Sequence, residues 1–134
     1  MPVHEGSTDF DPFRTPGSRY EHEEPFVVAL VPSGVAFDWS SSSTPLRALW
    51  LPEDFFGAFY RTGRELRLPL TSRLINLYAQ YRFSRDELPG LAAELSNISG
   101  HLGEPISEAA RLAAGLVLEG LRSSQPVDVL VEGP

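Results

Sequence analysis

The chain has no cysteine and no lysine. The first absence removes disulfides, thiol nucleophiles and thiolate metal sites, and is compatible with a cytosolic setting. The second removes a Schiff-base lysine, a lysine general base and a Walker-type phosphate loop. All eleven basic residues are therefore arginine, a bias of the kind a GC-rich coding genome produces. Long hydrophobic runs are missing too. The longest, near Phe26 to Val31, falls far short of the ~20 apolar residues a spanning helix needs. The first twenty residues are polar and rich in proline and glycine, without the apolar stretch of a secretory signal. A soluble cytoplasmic protein that does not engage a membrane is expected.

What is present fits one domain. At 134 residues a compact chain buries roughly two-thirds of its unfolded surface and folds without staples. The formal charge is −7. Residues 1–24 hold six acids against Arg14 and Arg19, which is −4 and leaves −3 for the rest. Like-charge repulsion disfavours broad binding to nucleic acid or anionic lipid. In residues 1–24 the apolar side chains Phe10, Phe13 and Tyr20 stand apart among prolines, glycines and acids. That composition predicts a flexible acidic tail, followed by a single α+β domain over 25–134.

Within that domain "PFVVALVPSGVAFDW" reads as a hairpin. Phe26 to Val31 suits a strand covered on both faces, "PSG" supplies a turn, and Val35, Phe37 and Trp39 alternate on the return. The serine tract Ser40–Ser43 then links strand to helix, because Thr44 can cap a helix and Pro45 suits its first position. Pro52, Glu53 and Asp54 repeat that signal, so residues 45–62 read as two short helices or one kinked at Pro52. "ELRLPL" alternates as a short edge strand. Leu74, Leu77, Tyr78 and Tyr81 have helical spacing after Thr71. Ser84 and Glu87 have capping-box spacing ahead of a helix carrying Leu88, Leu91, Leu95 and Ile98. A last helix follows to about Arg122, and Val127, Val129 and Val131 alternate in a terminal strand. The expected architecture is a small mixed sheet of three to four strands, formed by the N-terminal hairpin and the C-terminal strand, packed with four to five helices.

Chemistry is sparse. The serine tract lacks the glycine-flanked nucleophile elbow and a neighbouring base. His4 and His22 sit beside acids in the expected tail, where a metal would have to order two separate segments without a softer ligand. No metal site and no cofactor are expected. His101 stands in an expected interhelical turn and would serve as a general base if Glu94, Glu104 or Glu108 oriented it, although a lone turn histidine is usually just solvated. Asp38 and Asp128 each take the out-of-phase position of an expected strand, and on neighbouring strands they would form an acid/base pair.

Charge segregation is the most informative feature. Arg61, Arg64, Arg67, Arg73, Arg82 and Arg85 stand against a single acid, Glu65, giving a local +5 in an acidic chain. Tyr60, Tyr78, Tyr81 and Phe83 interleave with them. Arginine with aromatics is the composition of interface anchors. The expected function is a non-enzymatic protein-interaction module whose partner is another protein, with self-association compatible. In composition, though in no motif, it is similar to small acidic immunity or antitoxin-like inhibitors of bacterial proteins. Two alternatives stand beside it: a small hydrolase or isomerase using Asp38 and Asp128, and nucleic-acid or nucleotide binding through the Arg61–Arg85 segment.

Overall fold

The computed structural model describes residues 9–38 and 45–134. In chain order they form β1 (Asp9–Phe10), β2 (Pro25–Pro32), β3 (Arg47–Pro52), α1 (Glu53–Glu65), β4 (Gln80–Phe83), α2 (Leu88–Ser99), α3 (Ile106–Leu121) and β5 (Val127–Glu132). Short 3₁₀ turns occupy Thr71–Arg73 and Arg85–Glu87. The strands lie in the order β1-β3-β2-β5-β4. Only β1 and β3 run parallel. The fold is α+β, as expected, but the sheet is five-stranded and mixed with three α-helices, which corrects the expected three to four strands and four to five helices.

β2 explains the arrangement. Its unbroken β-favouring run is buried on both faces at the centre of the sheet, the environment in which such runs are stable. Phe26, Val28 and Leu30 face the helices with Leu49 and Leu51 of β3, Phe83 of β4, and Val127, Val129 and Val131 of β5. The alternate residues Val27, Ala29 and Val31 join Ala48, Leu130 and Phe37 in a second, smaller core on the opposite face. Phe37 arrives there from the β2–β3 connection. Residues 35–38 are not a strand, and Val35 is exposed. The partner of β2 is instead β3, from Leu30 opposite Arg47 to Pro25 opposite Pro52. The Trp39 position and the serine tract Ser40–Ser43 lie outside the described residues.

Two helix expectations fail for one reason. Residues 47–52 follow a helix-start signal at Thr44-Pro45, and residues 74–81 carry a helical stripe, yet both regions supply strands that fill the two flanks of the β2–β5 pair. At the second, Asn76 breaks the helical reading: its side chain accepts the Tyr78 N–H at 2.9 Å, and its carbonyl accepts the Ala79 N–H at 3.1 Å. That turn delivers Gln80–Phe83 to β5 and leaves Tyr78 exposed. Only the Pro52-Glu53-Asp54 signal starts a helix, with both acids in its first turn. The edge strand read into residues 65–70 is the end of α1 and a loop. The Ser84–Glu87 capping box forms, its Glu87 side chain accepting the Ser84 N–H at 3.0 Å.

Residues 9–24, part of the expected tail, reach the core. Tyr20 is 7% exposed, and the Phe13 and Tyr20 rings stand edge-on to Phe55 of α1 at 5.3 and 5.2 Å. Glu23 accepts the Asp54 N–H at 3.0 Å, supplying the side-chain cap that Pro52 cannot give α1. Among the described residues no helix is long and apolar enough to cross a membrane.

Candidate functional site

The six arginines divide into distinct environments. Arg82, on the sheet face away from the helices, donates from Nε to Asp128 at 2.8 Å and from a terminal nitrogen to the Pro32 carbonyl at 2.7 Å. Ser33 completes the node by donating to the other Asp128 oxygen at 2.8 Å. β2, β4 and β5 are thereby cross-linked. Arg73 pairs with Glu87 at 2.6 Å and lies over the Phe83 ring at 5.5 Å. Arg85 is half-buried in its 3₁₀ turn. These three serve the fold's own contacts or lie partly within it.

Arg61, Arg64 and Arg67 differ. All three are exposed at the C-terminal end of α1, and none forms an ion pair with a described residue. Among the described residues the Arg64 side chain donates to Tyr60 alone, at 2.8 Å. The helix ends in a Schellman arrangement: the Arg67 N–H reaches the Arg64 carbonyl at 3.1 Å and the Leu68 N–H reaches the Gly63 carbonyl at 2.7 Å. Arg67 occupies the left-handed position of that motif, at φ 58°, where glycine is the usual residue because a Cβ is disfavoured. Replacing Arg67 with glycine should therefore stabilise the fold by about 1 kcal/mol, read as a higher denaturation midpoint.

Asp38 and Asp128 are placed quite differently from each other. Asp38 is exposed in the non-strand stretch after Phe37, whereas Asp128 is buried on β5. Residues 35–38, which were to set Asp38 beside Asp128, are not a strand, and β5 is flanked by β2 and β4. Burial pushes the Asp128 carboxyl up, but hydrogen bonds from Arg82, Ser33 and the Gly34 backbone, together with the Arg82 charge, outweigh it and hold it below its ordinary 3.8. Arg73, followed by Ser84, holds Glu87 below its ordinary 4.5.

A carboxylate with a lowered folded pKa contributes stability that is complete above its unfolded value and is lost as pH falls through the folded one. Acidification from above 4.5 to below 3.8 should therefore erode stability at Glu87 first and Asp128 next. An Arg82→Met variant should melt lower at neutral pH and lose less on acidification than the wild type. Parallel melting curves over that range check it.

The two described histidines gather no metal ligands among the described residues. His22 is solvated beside Glu21, His101 lies 3.0 Å from the Asn97 carbonyl, and His4 is outside the described residues. Glu94, an expected orienting group for His101, turns instead into the interior. It accepts the Leu70 N–H at 3.0 Å, the Thr71 N–H at 2.8 Å and the Thr71 hydroxyl at 2.9 Å. Among the described residues no cluster of three or more acids and histidines could hold a metal ion. Sequence reasoning missed both Glu94 and the strain at Arg67. The first needs a long-range partner to be visible; the second is hinted at only by a helix end without a following glycine.

Comparison with known proteins gives no matching family model, no matching curated protein and no matching solved structure.

Proposed function

We propose that the chain is a non-enzymatic module that binds another protein, with Arg61, Arg64 and Arg67 as its docking cations. The observation that carries this reading is Arg67. A charged side chain that forms no ion pair with any described residue stands at a backbone position suited to glycine, a local cost of the sort that functional sites retain. The charge inventory supports it as well. In a chain with eighteen acids and eleven arginines, three arginines along one helix end stay unpaired with described residues. The chain then passes through the Thr71–Arg73 turn, which packs on α1, to Ile75 and Tyr78, exposed at 70% and 73%. Tyrosine and arginine are the residue types enriched among interface anchors. A partner surface rich in carboxylates fits this end of the molecule.

The experiment is a titration of isotope-labelled protein with a short Glu- and Asp-rich peptide at low and high salt. Amide shifts should centre on residues 61–67 and shrink as salt rises. Exposed ion pairs are worth ~0–1 kcal/mol each, so the triple Arg61→Ala, Arg64→Ala, Arg67→Ala variant should bind roughly tenfold more weakly while keeping its fold. Shifts centred elsewhere, or tighter binding to a single-stranded oligonucleotide than to the peptide, would count against the proposal.

A further inference from the structure

A groove of about 400 Å³ opens between the β1–β3 edge of the sheet and α3, within the ~300–1,000 Å³ range of small-molecule sites. Leu49 and Leu116 are its buried lining, and Phe10 and Leu112 stand in it 43% and 38% exposed. Large apolar side chains left open around a concavity are the usual lining of a ligand site.

Gly115 lines the same groove from the middle of α3, where glycine is unfavourable relative to alanine. Gly120 on the same helix has a packing reason, since a Cβ there would press on Leu30 at 2.9 Å and Val127 at 3.1 Å. A Cβ on Gly115 would meet no described residue within 4 Å. Packing among the described residues does not call for glycine at this position, and the open space in front of it leaves room for an occupant of the groove.

The polar groups of the groove narrow its chemistry. The Arg47 guanidinium lies over the Phe10 ring at 4.4 Å, and its Nε is 3.4 Å from a Glu119 oxygen, an ion-pair distance without hydrogen-bond geometry. No described residue forms a hydrogen bond with the Arg47 side chain. Arg111, by contrast, is engaged by Ser107 at 2.7 Å and Glu104 at 3.0 Å. Arg47 and Arg111 are balanced in the lining by Glu108 and Glu119, so a charged ligand would gain on one side and be repelled on the other.

We propose that this groove binds a small, uncharged, mainly hydrocarbon molecule carrying one hydrogen-bond acceptor, such as a ketone, ester or amide. The hydrocarbon lies over Gly115 between Phe10 and Leu112, and the acceptor takes hydrogen bonds from the terminal nitrogens of Arg47, its Nε being buried. This site is separate from the arginine end of α1, and its ligand is not a protein.

The probes are octan-2-one and octanoate, each titrated into the isotope-labelled full chain. Octan-2-one should shift amides around residues 10, 47, 112 and 115 saturably, and bind at least several-fold tighter than octanoate. Gly115→Leu should fill the groove, melt no lower than the wild type and bind octan-2-one at least tenfold more weakly. Gly115→Ala, a smaller change, should melt higher and weaken binding less. Arg47→Met should remove the preference for octan-2-one over an apolar thioether of equal length. Non-saturable shifts, shifts remote from the groove, unaltered binding in folded Gly115→Leu, or equal affinity for the ketone and the carboxylate would each overturn the proposal.

Discussion

Replacing Phe55 with alanine should cost the fold about 3–5 kcal/mol, the range for a large buried aromatic. Phe55 is 1% exposed, and its ring receives both Phe13 and Tyr20 edge-on. Such ring pairs are worth ~0.5–1.5 kcal/mol each beyond the area they bury. The loss should therefore couple to Tyr20. In a double-mutant cycle Tyr20→Ala and Phe55→Ala should together cost less than the sum of the single variants, because each removes the other's partner. Additive losses, measured by denaturant unfolding, would mean that Tyr20 does not pack on Phe55 of α1. Removal of residues 1–24 should likewise lower the melting temperature markedly, since it takes away Tyr20, Phe13 and the Glu23 cap together.

A second large loss is expected at Glu94. Its buried carboxylate is the acceptor for the backbone N–H groups of Leu70 and Thr71 and for the Thr71 hydroxyl. Alanine at this position would leave those donors without a partner in the interior, at about 1–3 kcal/mol for each group that water cannot reach. Glu94→Ala should thus cost about 3 kcal/mol or more. Glu94→Gln keeps one acceptor and should cost less. The loss should be local in origin: hydrogen exchange at Leu70 and Thr71 should accelerate in Glu94→Ala before the rest of the chain opens. Protection at those amides equal to wild type would show that the carboxylate is not what holds the 70–71 turn to α2.

How much of this was legible in the sequence depends on the range over which each signal acts. β2, α2, α3 and β5 follow from local pattern; in α2 and α3 the buried face is the one that periodicity selects, whereas β2 and β5 are buried on both faces. The capping box at Ser84 and Glu87 is equally local. The failures are contests between local signal and pairing. Residues 47–52 contain leucine and tryptophan in either period, and only the presence of β2 alongside decides for a strand. Leu74, Leu77, Tyr78 and Tyr81 match a helix face, but hydrogen bonding to β5 decides the fate of residues 80–83.

Phe13 and Tyr20 look isolated because their partner, Phe55, lies far along the chain. The arginines were visible as a charge run, yet the run does not tell Arg82, held by Asp128, from Arg67, held by nothing among the described residues. Distances and backbone angles make that distinction, and composition cannot.

The most direct test of the account is the single substitution Arg67→Gly, read for stability and binding on the same sample. A glycine relieves the φ 58° position and removes one docking cation. The account predicts a protein more stable by about 1 kcal/mol that binds the acidic peptide several-fold more weakly at low salt, with the difference fading at high salt. A glycine variant that gains stability and binds the peptide as tightly as the wild type would contradict it, because the strained arginine would then contribute nothing to recognition.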